Sequence, residues 1–321
     1  MKSQITTLLV LFLLATSCTN ESKNKATSSD SEYSEKYSGP IIDMHIHGYT
    51  QNGGMFGLTH PTTLRGETYQ GAKNIEEHQK QTISKFHEHN VVKAIVTDGH
   101  EWYQDNPDIV LIADADEPLD TLRKKHELGK LQAIAEMAPF YAGILADDPS
   151  QMKYFELAQE LGIPVGFHIF PGGPNYGIHT LPEILGGMRT YNANPLQLEK
   201  ALAKYPNLKL YIMHGGWPYI EDLKALMYAH PNVYVDIAVT NWILPQEEFN
   251  KYLKSLIDAG FGNRIMYGTD QMVWPQVISI GIETVNNADF LTRDQKEDIF
   301  FDNAAEFLEL SEAEITKLKN P

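Results

Sequence analysis

The sequence predicts an α/β protein folded as a single (β/α)8 TIM barrel, and three observations predict it. From residue 41 onward, short apolar β-rich runs alternate with amphipathic helical runs, the pattern of a parallel sheet with crossover helices. Eight such units fit into about 270 residues, the usual size of an eightfold barrel. No Gly-X-Gly-X-X-Gly turn follows the first run, which speaks against the rival fold, a doubly wound open sheet. Neither an internal repeat nor a second domain is visible.

The first strand is expected over 41–47, Ile-Ile-Asp-Met-His-Ile-His, where apolar, β-branched residues lead up to Gly48. A helix over 75–89 follows, with apolar residues on one side. The second strand, 91–98, reads Val-Val-Lys-Ala-Ile-Val-Thr-Asp. The crossover after it, 99–107, is short enough to hold no proper helix. Strand three is expected over 108–115, a helix over 119–128, and strand four over 131–137. The helix over 148–161 has a proline in its first turn and stops at Gly162, both favourable signals. Strands over 164–169, 208–214, 233–238 and 264–270 complete the barrel. Helices over 196–204, 219–229, 246–259 and 294–310 accompany them.

Ahead of the barrel, Lys2 precedes an apolar run over 5–15, broken by Thr6 and Thr7, and then Thr16-Ser17-Cys18. The run is too short for a comfortable membrane span and has the order of an export signal. Cys18 is the one cysteine of the chain, so there is no disulfide framework. Its place resembles that of a lipidated cysteine in a bacterial lipoprotein, in a relaxed form with Ser17 and Ala15 at positions usually held by other residues. A plain secretory signal or an uncleaved anchor is the alternative. The stretch that follows is polar and too poor in apolar residues to offset its ordering entropy. The expected organisation is a lipoprotein signal peptide over 1–17, a disordered tether over 18–38, and the barrel over 39–321. The protein is then exported and lipid-anchored to a bacterial membrane through Cys18, on the periplasmic or cell-surface side.

Of the 321 residues, 42% are apolar and 10% aromatic, enough to bury a real core. The formal charge of −16 argues against a nucleic-acid partner, whose phosphates it repels. A small-molecule substrate is not excluded, because a metal ion reverses the field locally. Self-association into a homo-oligomer is left open.

In such a barrel the working residues stand at the carboxyl ends of the strands. His45 and His47 are two apart on one strand and so face one side, which makes half of a zinc-type site. Glu136, His168, His214 and Asp270 fall at the same end of strands four, five, six and eight. Each has a plainer alternative. Glu136, in Ala-Ile-Ala-Glu-Met, is costly to bury unless paired or metal-bound, and a salt bridge to a neighbouring strand satisfies it too. His168 alone reads as a core histidine. His214 before Gly215-Gly216 reads as a turn, and Asp270 as a helix cap. Together, six such residues at one barrel face are hard to attribute to packing.

Asp-Met-His-Ile-His at 43–47, His168, His214-Gly215-Gly216, Gly268-Thr269-Asp270 and Asp302-Asn303-Ala304-Ala305 resemble the amidohydrolase superfamily. The likeness runs from about Ile41 to Leu310. It is closest to the branch that includes aminocarboxymuconate-semialdehyde decarboxylase, aromatic-acid decarboxylases and several lactonases. The resemblance implies that His45, His47, His168 and Asp270 hold one divalent ion, zinc first and manganese second. His214 is then an acid/base residue beside it. Glu136 departs from that pattern and resembles the strand-four glutamate of TatD-like hydrolases, which bridges two ions. By that analogy His45, His47 and Asp270 serve one ion, and His168 and His214 the other. One ion is preferred over two, without excluding the second.

A divalent ion with Asp270 as proton acceptor and His214 as oxyanion stabiliser suits hydrolysis of an ester, lactone or amide. Non-oxidative decarboxylation of a small aromatic or unsaturated acid is the alternative. It needs a basic side chain to hold the acid, and Arg65 and Arg189 lie in loops from which they are expected to reach the pocket. A third reading, a metal-holding binding protein, fits the complete acid/base set less well. Tyr49, Phe56, His60, His100, Glu101, Trp102, Tyr176, His179, Tyr191 and Trp217 are candidates to line the pocket or to pack the loops. Pro171-Gly172-Gly173-Pro174 reads as a fixed turn rather than a lid.

Overall fold

The structure is a computed structural model, and it describes residues 35–115, 117–172 and 187–320. The expected signal peptide, Cys18, Gly173, Pro174, Tyr176 and His179 lie outside the described residues. Eight parallel strands form one sheet in sequence order. They are β1 (Ile41–His47), β2 (Val91–Thr97), β3 (Val110–Asp114), β4 (Ala133–Met137), β5 (Val165–His168), β6 (Leu210–Met213), β7 (Val233–Asp236) and β8 (Ile265–Met266). Met44 N–H donates to Tyr267 O at 3.0 Å and Asp270 N–H to His45 O at 2.7 Å. These bonds draw the segment after β8 onto β1 and bring the barrel almost to closure.

All eight expected strands are present, the first over its expected range and the others shorter. β8 departs furthest: regular pairing stops at Met266, and Tyr267 N–H turns to Ile299 O at 2.7 Å. The segment 267–270 is therefore free to bend and aim Asp270. Between β2 and β3 a short helix, His100–Asp105, occupies the crossover in which none was expected, held by Trp102, which is fully buried. The helix Glu199–Lys204 is shorter than expected, because Pro195–Leu198 forms a 3-10 turn before it. The expected helix over 294–310 is interrupted by a π turn at Asp298–Asp302. Helices Thr240–Ile243, Val277–Asn286 and Glu312–Lys319 add to the set.

The barrel interior is filled by Ile42, Met44, Ile95, Ala133, Ala135, Tyr211, Met213 and Met266. A larger core lies between strands and helices and includes Ile41 and Ile46. β1 is not a plain alternation. Its register against β2 shifts between Asp43 and Ile46, so the chain bulges at Met44 and His45. Asp43, fully buried, holds the bulge: it accepts from His45 N at 3.0 Å, from Thr269 N at 2.9 Å and from the Thr269 hydroxyl.

Packing begins before Gly39. Tyr37 is buried, stacks on Phe300 at 5.5 Å, and its N–H donates to Asn286 Oδ1 at 2.8 Å. Lys296, buried with it, donates to Glu35 O at 2.9 Å. This segment joins β1 at the end of the barrel opposite the site.

Candidate metal centre

His45 and His47 leave the end of β1 toward the barrel axis, Glu136 comes from β4 and His168 from β5. His214 follows β6 directly, in a backbone conformation with φ +64°. Asp270, at φ +53°, ends the bent segment after β8. Aspartate tolerates that left-handed region better than most side chains. The six residues expected from the sequence are thus brought together at one end of the barrel.

Glu136 is the centre of the arrangement. Its Oε2 lies 3.4 Å from both His45 Nε2 and His47 Nε2. Its Oε1 lies 3.3 Å from His214 Nε2 and in closer contact with His168 Nδ1. Asp270 Oδ1 stands on the first side, 2.9 Å from His47 Nε2 and 3.8 Å from His45 Nε2. Hence His168, expected beside His45, His47 and Asp270, stands across Glu136 with His214, 3.0 Å from its Nε2.

The partners of the outer ring nitrogens fix which nitrogen faces the centre. His168 Nε2 lies 3.2 Å from Phe170 O, a carbonyl that only accepts. The proton is therefore on Nε2, and the Nδ1 lone pair points at Glu136. Thr97 Oγ1 donates to Ile46 O and so accepts from His47 Nδ1 at 3.0 Å, leaving Nε2 free. His45 Nδ1 faces Asp236 Oδ2 at 3.3 Å, which leaves its Nε2 free as well. Asp236, at the end of β7, was not anticipated from the sequence. Its other oxygen accepts from His214 N at 2.8 Å and Ala238 N at 3.0 Å, so one buried carboxylate orients two of the histidines.

Three donor groups have all their ligating atoms within 4.8 Å: His45, His47 and Glu136; Glu136, His168 and His214; and His45, His214 and Asp236. Several donors are buried with no hydrogen-bond partner, among them His45 Nε2, His214 Nδ1 and Asp270 Oδ1. Such groups are costly unless something pairs with them. The charges say the same. Burial works against the cationic form of His45 and His47, but Asp270 and Glu136 outweigh it and hold both imidazoles up at about 10. Burial pushes Glu136 and Asp270 up, yet the surrounding histidines hold both below the usual carboxylate range. Buried carboxylates in this setting demand positive charge. The imidazole and carboxylate donor set fits a divalent ion of the zinc or manganese type.

The turn after β6 explains His-Gly-Gly. Gly215 has φ +56°, and a Cβ there would lie 1.6 Å from the Tyr252 hydroxyl, which donates to Gly215 O at 3.1 Å. Gly215→Ala is expected to cost more than about 3 kcal/mol, from left-handed strain and the lost contact together. Adding Tyr252→Phe should restore part of it, as read from urea midpoints.

Of the aromatic candidates, Tyr49 stacks on His47 at 5.9 Å, and Phe56 packs on Tyr49. Trp217 packs on Phe170, which itself faces His214. His60 instead sits between Trp242 and Trp274, and Tyr191 is largely exposed, so both belong to the loops. His100 pairs with Asp114, Glu101 is exposed, and Trp102 is core. Arg65 does not reach the site. Its guanidinium donates to Leu244 O, Asn241 O and Thr284 Oγ1, because its loop folds over the helix Thr240–Ile243 and not over the barrel mouth. Arg189 donates to Met188 O at 2.7 Å.

A family model described as amidohydrolase matches residues 100–310, more than half of the chain. The chain belongs to the amidohydrolase family. The matched range contains Glu136, His168, His214, Asp236 and Asp270 of this amidohydrolase, while His45 and His47 precede it. Among curated proteins, Protein fluG of Emericella nidulans is 22% identical over 135 residues, 37% of this chain and 16% of that protein. The chain therefore spans only about a sixth of that relative.

Solved structures share the fold. An uncharacterized TIM-barrel protein of Bordetella bronchiseptica has a TM-score of 0.63 at 16% identity, covering 84% of this chain and 98% of its own. A probable 2-pyrone-4,6-dicarboxylic acid hydrolase of Acinetobacter baumannii has 0.58 at 13%, covering 84% and 99%. A 2,6-dihydroxybenzoate decarboxylase of Rhizobium has 0.57 at 14%, covering 85% and 99%.

Proposed function

We propose that this amidohydrolase is a metal-dependent hydrolase that adds water to an ester, lactone or amide of a small molecule, with two divalent ions held on either side of Glu136. The observation that carries the two-ion reading is the division of the imidazoles: two face Glu136 Oε2 and two face Oε1. His45, His47 and Asp270 would hold one ion, and His168 and His214 the other. This replaces the single-ion preference drawn from the sequence. Zinc is favoured, because four imidazoles with two carboxylates are a borderline donor set.

When bound, such ions supply Lewis acidity and bring the pKa of a water from about 16 toward about 7. Asp270, whose buried Oδ1 faces His47 Nε2 at 2.9 Å, accepts the proton of the attacking water. As the bond from the acyl carbon to its leaving oxygen or nitrogen breaks, Asp270 returns that proton to the leaving atom. His168 and His214 would hold an ion that stabilises charge on the acyl oxygen, and the Phe170 ring, backed by Trp217, covers His214.

Decarboxylation is the second reading. It asks for a cationic side chain to grip an acid, and Arg65 is committed to backbone carbonyls and a threonine. The apolar run over 5–15, Cys18 and the polar stretch after it support a further proposal, that the enzyme acts outside the cytoplasm on a lipid tether.

The test is metal analysis of the full chain, joined to a panel of lactones, esters, amides and aromatic acids. Two ions per chain are expected, with hydrolysis lost on chelation and restored by zinc or manganese. Carbon dioxide release from an aromatic acid without any hydrolysis overturns the hydrolase reading. A single ion per chain at saturating zinc overturns the two-ion reading.

A further inference from the structure

Tyr141 lies five residues beyond Glu136, in the 3-10 turn Pro139–Ala142 that follows β4. Its ring packs on His168 at 5.0 Å and on Phe140 at 5.2 Å. Phe140, fully buried, stacks on the same imidazole at 5.7 Å. The turn itself is locked. Gly143 at φ +77° closes it, and a Cβ on Gly187 would lie 2.3 Å from the Ala142 carbonyl carbon, so backbone rests on backbone. Neither glycine can be replaced without moving Tyr141.

Tyr141 is half-buried, yet its hydroxyl makes no hydrogen bond with any described residue, unlike Tyr211, Tyr252 and Tyr267, whose hydroxyls all find partners. A half-buried phenol with no partner in the described protein is open to a hydrogen bond from a bound molecule. Its ring contact with His168 places it beside the donor cluster. A phenol keeps its proton at neutral pH, so it serves there as a donor and not as a base.

We propose that Tyr141 is a catalytic residue of this site, donating its phenolic hydrogen bond to the acyl oxygen of the substrate as that oxygen gains charge. The inference rests on the hydrolase reading above for the identity of that oxygen. It assigns the β4 turn a role in stabilising the tetrahedral state. A rigid, pre-aimed donor in a water-poor site acts most strongly where charge develops, and little on the neutral carbonyl.

The test uses the zinc-loaded full chain and Tyr141→Phe, which removes one oxygen and leaves the ring packing intact. Calorimetric binding of phenylphosphonate, a tetrahedral anion, is compared with that of benzoate, a planar one of similar size. Tyr141→Phe should weaken phenylphosphonate about 10–100-fold and benzoate less than threefold, at unchanged zinc content. Where the panel identifies a hydrolysed substrate, kcat should fall about 10²-fold with KM nearly constant.

Equal weakening of both anions makes Tyr141 a ground-state anchor and overturns the proposal. Unchanged phosphonate binding, or a wild-type protein that does not bind phosphonate, also overturns it. Phosphonate binding needs no turnover, so it decides the role of Tyr141 even if the panel is not hydrolysed.

Discussion

Asp270→Asn is expected to lower kcat about 10²–10⁴-fold while the protein stays folded. Asparagine has the same shape and, like aspartate, tolerates the left-handed backbone at φ +53°. The backbone bond from Asp270 N to His45 O does not depend on the side chain. What is lost is the carboxylate whose buried Oδ1 faces His47 Nε2 at 2.9 Å. An amide there cannot accept and return a proton. The check is the pH–rate profile as well as the rate. The acid limb, set in the wild type by a carboxylate held below its usual range, should vanish in the variant. A variant with more than a tenth of wild-type kcat and an unchanged acid limb removes Asp270 from proton transfer and shifts that task to His214.

The expected ligands were legible in the sequence because each broke a local rule. Two histidines two apart on a strand share a face, and a glutamate in an apolar strand demands a partner. Strand order was legible because eight apolar runs alternate with helices. Asp236 was missed for a related reason. The expected strand over 233–238 holds Asp236 with no second ligand type spaced near it, and only the packed barrel shows it fully buried against His45 and His214. Helix Val277–Asn286 was missed because Ile, Val and Gly lie on most of its sides and no side chain caps its start.

Arg65 was misjudged because the path of a long loop is not written in local pattern. The grouping of His168 with His214 was equally hidden. It depends on which carboxylate oxygen faces which imidazole, and that follows from the bulge at Met44 and His45 and from the φ of His214, not from spacing.

Glu136→Gln tests that grouping most severely. The carboxylate lies between two pairs of imidazoles, and the amide keeps its volume but offers one weak acceptor oxygen in place of two charged ones. Bound zinc is expected to fall from two equivalents to no more than one. Losing the charge stabilisation that the second ion gives amounts to several kcal/mol, about 10³-fold in rate. The variant should also reveal which pair binds more tightly. The His45–His47 pair keeps Asp270 as a third ligand, and Asp236 orients His45. The His168–His214 pair keeps only the more distant Asp270 Oδ2, 3.9 Å from His214 Nδ1, once the glutamate is gone. The remaining ion should therefore sit with His45 and His47, and adding His168→Ala to the variant should leave its zinc content unchanged. If Glu136→Gln retains both equivalents, the bridging role fails. If it retains one that His168→Ala then removes, the two pairs are not independent sites, and the ion belongs between them.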